Sequence, residues 1–260
     1  MTETSVNTHY TDYTRYPSLF GRGIFIAGGA TGIGAELVRA FCSQGAKVAF
    51  IDIDDQAARY LRDTIGNDSL WYRNVDVTDV DALQQAIKDA ADQLGGLSVL
   101  VNNVANDQRH QAADFSQKMW RDCLAVNIDA SFFSAQAALP FLKERGGSII
   151  NFSSINALLG PDNMAGYVTS KSALLGLSKS LAREWGQFAI RVNALLPGWV
   201  VTDRQLALWL TPEAEKQWMQ QVAMPRRLLP QDVAKLALFL AADDSEMITG
   251  QALVIDGGRT

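Results

Sequence analysis

Tyr167 and Lys171 stand four residues apart in "GYVTSKSALLGLSKSLAREW" (166–185), where Leu174, Leu177 and Leu181 share one face of a helical pattern. At that spacing the two side chains are neighbours on the helix. Any surface helix offers such a pair cheaply, so the spacing alone leaves an ordinary exposed pair open. The chemical alternative is a phenol that accepts a proton. A free tyrosine titrates near pKa ~10, and an adjacent ammonium favours the phenolate. Tyr167 would then be a general base and Lys171 its electrostatic activator. Upstream, "NFSSIN" closes a strand-like run. Ser153 and Ser154 alternate faces there, so one of the two points into the crevice at the strand's end.

A second chemical feature is "FIAGGATGIGAEL" (25–37), dense in glycine between an apolar run and a helical pattern. Tight packing would explain bare backbone there, and so would the approach of a large anion. Gly28, Gly32 and Gly34 follow a predicted strand and open a predicted helix. That places N–H groups and a positive helix end where a pyrophosphate could sit. The next strand ends in "FIDID". Asp52 is either a common strand-end turn residue or the acceptor for both hydroxyls of an adenosine ribose, where it would repel a 2′-phosphate. Its place after the glycine turn favours the ribose, hence NAD.

These residues need elements to hold them. Short β-branched runs at 23–28, 47–53, 70–75, 98–103, 147–153, 190–196 and 252–255 alternate with helical patterns. Most are apolar without clean alternation, as strands covered on both faces are. The first helix carries Ile33, Leu37 and Phe41 on one face and can end at Gly45; a later one, "TDVDALQQAIKDAADQL", is capped by Thr78 or Asp79; the longest spans about 114–145, interrupted only by Pro140. The pattern predicts an α/β fold: one doubly wound, seven-stranded parallel sheet with helices on both faces. Residues 1–16 read as a loose arm and 17–260 as the single domain. Within it 199–230 supplies no strand, carries three of the six tryptophans, and reads as a helical lid.

Composition narrows the function. Net charge is −5 and pI about 5.1, which suggests neither nucleic acid nor an anionic membrane as partner. No apolar run approaches a membrane span, and the polar N-terminus lacks a signal-peptide core. Cys42 and Cys123 sit in apolar patterns and read as buried thiols, with a reducing cytoplasm as the default setting. Two histidines and two scattered cysteines make no credible zinc site, and a G-x-S-x-G elbow is absent.

In order and spacing these motifs resemble the short-chain dehydrogenase/reductase family, along essentially the whole chain. The family's glycine motif is matched by "AGGATGIG", its strand-end "NNAG" by "NNVA" (102–105), its helix asparagine by Asn127 in "AVNI", and its "PG" by Pro197 and Gly198. The resemblance implies a Rossmann fold with Ser154, Tyr167, Lys171 and Asn127 as the catalytic set, Asn127 keeping a water relay behind the lysine. It implies a cofactor cradle of Thr31, Ile33, Asp76, Val77, Asn103, Val104, Val200 and Thr202 besides the glycines, Asp52, Tyr167, Lys171 and the Pro-Gly pair. Val104 and Ala105 depart from the pattern on the nicotinamide side.

Within the family, "NNVANDQRH", "PGWVVTDRQ" and "LWLTPE" resemble the NAD-dependent aldose 1-dehydrogenases. That implies a sugar substrate met by Asn106, Arg109, His110, Asn156 and Trp199 together with Ser154 and Tyr167. Asp107 and Arg109 fit a polyol site or a solvated loop equally; Trp199 could lie on a sugar face or pack the lid. A keto sugar acid substrate and a non-catalytic NAD sensor stay open beside the aldose. The resemblance also implies a homotetramer joined through the long helices and last strand, with Phe132, Phe133, Leu175 and Trp185 as apolar surface; the last strand, so near Thr260, could lie at an interface.

Overall fold

A computed structural model describes residues 13–67 and 70–260. Seven parallel strands run in the order β3-β2-β1-β4-β5-β6-β7. They are β1 (Gly23–Ala27), β2 (Lys47–Asp52), β3 (Trp71–Asn74), β4 (Val99–Asn102), β5 (Gly147–Phe152), β6 (Ile190–Pro197) and β7 (Ala252–Ile255). Along β1, Ile24 and Ile26 enter one apolar core while Phe25 and Ala27 enter the other, and all four are buried. Two covered faces explain why the strands read as continuous apolar runs.

The first face is covered by α1 (Gly32–Ser43) and α10 (Pro230–Ala241), through Leu37, Phe41 and Leu238. The second is covered by α3 (Val80–Leu94), α5 (Ala130–Leu142) and α7 (Ala165–Trp185), through Ile87, Ala138 and Trp185. Each fully buried Phe or Leu contributes roughly 1.5–3 kcal/mol of transfer free energy. Asp79 caps α3, accepting the Ala82 N–H at 3.0 Å. The remaining helices are α2 (Asp55–Ile65), α4 (Gln117–Leu124), α6 (Asn156–Leu159), α8 (Asp203–Leu208) and α9 (Pro212–Met219). The strand order reverses between β1 and β4, where Ala27 and Asn102 are register partners, and a crevice opens there at the strands' carboxyl ends.

Four expectations need correction. The helix expected over 114–145 begins at Gln117, because Ser116 caps it on the Met119 N–H, and a π-turn at Ala125–Asp129 divides it. Pro140 does not break α5; the carbonyl it leaves unbonded belongs to exposed Gln136, where water can serve it. Trp185 is 5% exposed, since that face of α7 turns inward, and so contributes no surface. The cysteines are free but half-buried rather than buried. Of the expected arm, residues 1–12 lie outside the described residues. Tyr13–Tyr16 is anchored: the Tyr13 hydroxyl donates to Glu36, and the Tyr16 N–H donates to Gln44 Oε1 at 2.9 Å.

Candidate active site

The glycine turn answers to both explanations. A Cβ on Gly34 would lie 1.9 Å from the Gly28 carbonyl oxygen, and one on Gly28 would lie 2.8 Å from Val104 Cγ2. These two are bare because the turn packs on itself and on the loop after β4. Gly32, with φ +52, faces open space apart from Thr202 Cγ2, 3.2 Å from its ideal Cβ. Thr31, the N-cap of α1, makes no side-chain cap bond, so the first N–H groups of the helix receive none from it. Asn103 closes the turn by donating to the Gly28 carbonyl at 2.7 Å.

Asp52 ends β2 beside this turn. One carboxylate oxygen accepts the Ala30 N–H at 2.9 Å and the other the Asp54 N–H at 3.1 Å, which fixes the group's orientation. A carboxylate so held keeps acceptor capacity for a diol. Asp76 holds the Thr78 N–H and hydroxyl on one oxygen, with buried Val77 between them. Across the crevice, Gly198 lies where a Cβ would be 2.9 Å from Asp256, so the Pro197–Gly198 turn needs its glycine for packing. Val200 is buried and bridges to Leu228 at the root of the lid. The cradle, with an open Gly32, fits a dinucleotide.

The proton-handling residues are buried at the same end. Ser154, not Ser153, serves the crevice: Ser153 Oγ donates to the Lys171 carbonyl at 2.7 Å, whereas the Ser154 hydroxyl bonds the Tyr167 phenol and accepts the Asn156 N–H at 3.1 Å. Burial pushes the Tyr167 phenol up to about 12, against the lowering pull of Ser154. Burial likewise brings Lys171 down to about 7. The phenol is therefore raised rather than lowered, with burial the largest cause. Its Nζ donates to the Phe152 carbonyl at 2.7 Å and lies 5.7 Å from the Tyr167 ring centroid. Desolvation is the largest cause for both groups.

Asn127 sits in the π-turn, fully buried. Its Oδ1 accepts the Asn106 N–H at 3.0 Å, and its Nδ2 donates to the Asn106 and Cys123 carbonyls, each at 3.0 Å. The side chain thus splices α4–α5 to the loop after β4, and all its strong bonds go to backbone. A π-turn at a functional site is a common device.

The residues expected to meet substrate are partly committed elsewhere. Asn106 Oδ1 caps its own loop at the Gln108 N–H. Both ring nitrogens of His110 are engaged, with Gln108 O at 3.2 Å and the Gly166 N–H at 3.3 Å, so it is a brace rather than a substrate ligand. Arg109 lies over the Trp209 ring, 4.2 Å from its centroid. Trp199 Nε1 donates to Gln205 Oε1 at 2.7 Å, and its ring meets Trp218 edge-on at 5.5 Å. The Asn156 side chain donates a long 3.7 Å bond to Met164 Sδ. Sequence reasoning missed Gln205 and Arg204, which join the lid to Asp107, each at 2.9 Å. Nothing local marks them, for they lie on a lid helix far along the chain.

A phenol and an ammonium buried together serve chemistry that moves a proton, and the open turn beside them suits a dinucleotide; the class so defined is the nicotinamide-dependent oxidoreductases. Comparison with known proteins agrees. A family profile described as enoyl-(acyl carrier protein) reductase matches residues 28–260. A protein of Rhizobium meliloti named a probable galactose dehydrogenase is 41% identical over 249 residues, covering 94% of this chain and 97% of the relative. The D-xylose 1-dehydrogenase of Caulobacter vibrioides is 40% identical over 246 residues, with the same coverage. A solved double mutant of a Serratia marcescens short-chain dehydrogenase/reductase superposes with a TM-score of 0.87 at 33% identity, covering 93% of this chain and 99% of its own. The chain belongs to the short-chain dehydrogenase/reductase family and is an oxidoreductase.

Proposed function

We propose that the chain oxidises the anomeric carbon of a free aldose with NAD and releases the aldonolactone. The observation that carries this is a buried Ser154–Tyr167–Lys171 set in a chain 40–41% identical to two sugar dehydrogenases, with a tryptophan-bearing lid joined to the polar loop after β4. Polar groups favour hydroxyls, and indole faces favour the C–H side of a ring. The substrate contacts would be Asn156 and Trp199, with Asn106 and Arg109 at the rim.

NAD would be held by the glycine turn, Asp52, Asp76, Val77, Asn103 and Lys171, with Val104, Pro197, Gly198, Val200 and Thr202 around its nicotinamide half. Bound there, it would supply the acceptor for the hydride leaving the anomeric carbon and a positive ring charge near the phenol. The chain's own work is the proton. Tyr167 Oη, as the phenolate that the positive ring charge of bound NAD would favour, would accept it from the anomeric hydroxyl, and Ser154 Oγ would hydrogen-bond the same oxygen and orient it. Lys171, once it turns from the Phe152 carbonyl, holds the nicotinamide ribose. A keto sugar acid would require Arg109 to leave the Trp209 face for a carboxylate, so the aldose is favoured.

The test is NADH formation with a panel of free aldoses, run beside NADH consumption with keto acids. Turnover with pentoses or galactose is expected; turnover with keto acids alone would overturn the aldose proposal. A homotetramer is proposed with it, supported by exposed Ala252, Val254 and Met247 on and before the edge strand β7 and by Phe132 on α5. Light scattering at micromolar concentration checks this, and a monomer would refute it.

A further inference from the structure

Tyr167 occupies the first turn of α7, where a helix frays most readily and its N–H groups lack intrahelical partners. A side-chain oxygen at the N-cap usually takes the second or third N–H. Here the N-cap is Met164, which offers no such bond. We propose that His110 does this work from another segment and is the positioning residue for the catalytic tyrosine: its Nε2 takes the N–H of Gly166, the residue directly before Tyr167.

Several contacts converge on that arrangement. The His110 backbone N–H donates to the Asn163 carbonyl at 2.7 Å, so His110 grips the approach to α7 through main chain and ring alike. Asn163 has φ +58, a left-handed conformation that costs a non-glycine residue and persists only when its surroundings hold it. The imidazole stacks on Phe115, with ring centroids 3.6 Å apart and planes 9° apart. Phe115 in turn excludes any side chain at position 166, since a Cβ there would lie 2.8 Å from its Cε1. The glycine therefore lets the ring pair close over the helix end.

The bonding pattern also assigns a tautomer. Nδ1 faces the Gln108 carbonyl and must carry a proton, while Nε2 faces an N–H and must not. His110 is thus the neutral Nδ1–H form in the assembled site. This inference rests on Tyr167 as the proton acceptor proposed above; the aldose enters solely through the choice of assay substrate.

Two variants and one direct measurement test it. His110→Phe can keep the stack on Phe115 and loses the acceptor, whereas His110→Gln can return an amide oxygen to the Gly166 N–H. An ångström of misplacement near the chemistry costs up to about 100-fold. We expect His110→Phe to lose about 10- to 100-fold in kcat with D-galactose or D-xylose, with the Kd for NAD unchanged. His110→Gln should return kcat to within about threefold of the parent. Nitrogen NMR of the parent protein should show the Nδ1–H tautomer and a Gly166 amide slow to exchange. A full kcat in His110→Phe, no rescue by His110→Gln, or an Nε2–H tautomer would each overturn the inference. Should neither sugar turn over, the aldose proposal falls, and the tautomer and Gly166 exchange still decide this one.

Discussion

Asp107, on the loop after β4, joins the lid helix α8 through both oxygens: Oδ1 to Arg204 and Oδ2 to Gln205, each at 2.9 Å. Gln205 passes the contact on to Trp199, so one carboxylate sets the lid and the indole beneath it. The Arg204 side chain is 56% exposed, and an ion pair that open contributes little to stability, about 0–1 kcal/mol. Its consequence is positional. Asp107→Ala should lower Tm by only a few degrees, yet raise the substrate KM several-fold more than that for the cofactor. Equal kinetic constants in parent and variant would show that the lid holds Trp199 without Asp107.

Tyr167→Phe removes the proton acceptor while keeping the ring in its buried seat. Loss of a general base costs on the order of 10²–10⁴-fold in turnover. Binding of NADH, followed by its fluorescence, should stay within about twofold, because the phenol contributes little to a cofactor gripped elsewhere. A variant with near-normal turnover at neutral pH would remove Tyr167 from the chemistry.

The parts of this site that depend on short spacing were legible in the sequence, and those that depend on tertiary pairing were not. The four-residue step from Tyr167 to Lys171 is fixed by helix geometry, and the glycine turn by its strand and helix. The bond from Gly166 to His110 spans 56 residues, and that from Gln205 to Asp107 spans 98. No periodicity encodes such contacts; the sheet order makes them by setting β4 between β1 and β5. The same limit hides the raised Tyr167 phenol, whose largest cause is burial. Charge type is visible in the sequence, whereas the depth of burial that overrides it is not. Trp185 shows it again: the sequence gives an apolar side chain, and only the packing of α7 shows that it turns inward.

Cofactor choice should follow from Asp52. The carboxylate is anchored by Ala30 and Asp54, so it cannot swing away from a 2′-phosphate at no cost. Efficiency should be higher with NAD than with NADP, and Asp52→Ser should narrow the gap by easing the NADP arm. Steady-state kinetics with both cofactors check this. Equal or better efficiency of the parent with NADP would mean that the carboxylate does not face the ribose.

Stability should rise with pH across the neutral range, against the trend expected of a paired lysine. Burial brings Lys171 from the usual 10.5 to about 7 in the folded chain. Below pH 7 both folded and unfolded chains hold the proton, and the folded chain carries the full burden of a buried ammonium. Between 7 and 10.5 the folded chain has released the proton while the unfolded chain retains it. The unfolded state then binds more protons, and stability climbs by at most about 1.4 kcal/mol per pH unit from this group. Several groups oppose the rise at higher pH: burial raises the Tyr13, Tyr16 and Tyr72 phenols as well as Cys42 and Tyr167. Burial lifts the Cys42 thiol from 9.0 to about 11 and the Tyr167 phenol from 10.0 to about 12, so the folded chain holds protons that the unfolded chain loses. Their share of stability is complete below 9 and 10 respectively and is lost as pH climbs through the folded values. With these groups the gain falls between about pH 7 and 9, the profile is level between about 9 and 10, where Lys171 and Cys42 offset each other, and it declines above about 10. Thermal unfolding of the cofactor-free protein in buffers from pH 6 to 11 should trace that profile, and Lys171→Met should flatten its rising limb while leaving the alkaline decline. A Tm that is level or falling from pH 7 to 9 in the parent, or an unchanged limb in the variant, would mean that Lys171 keeps its charge in the folded chain.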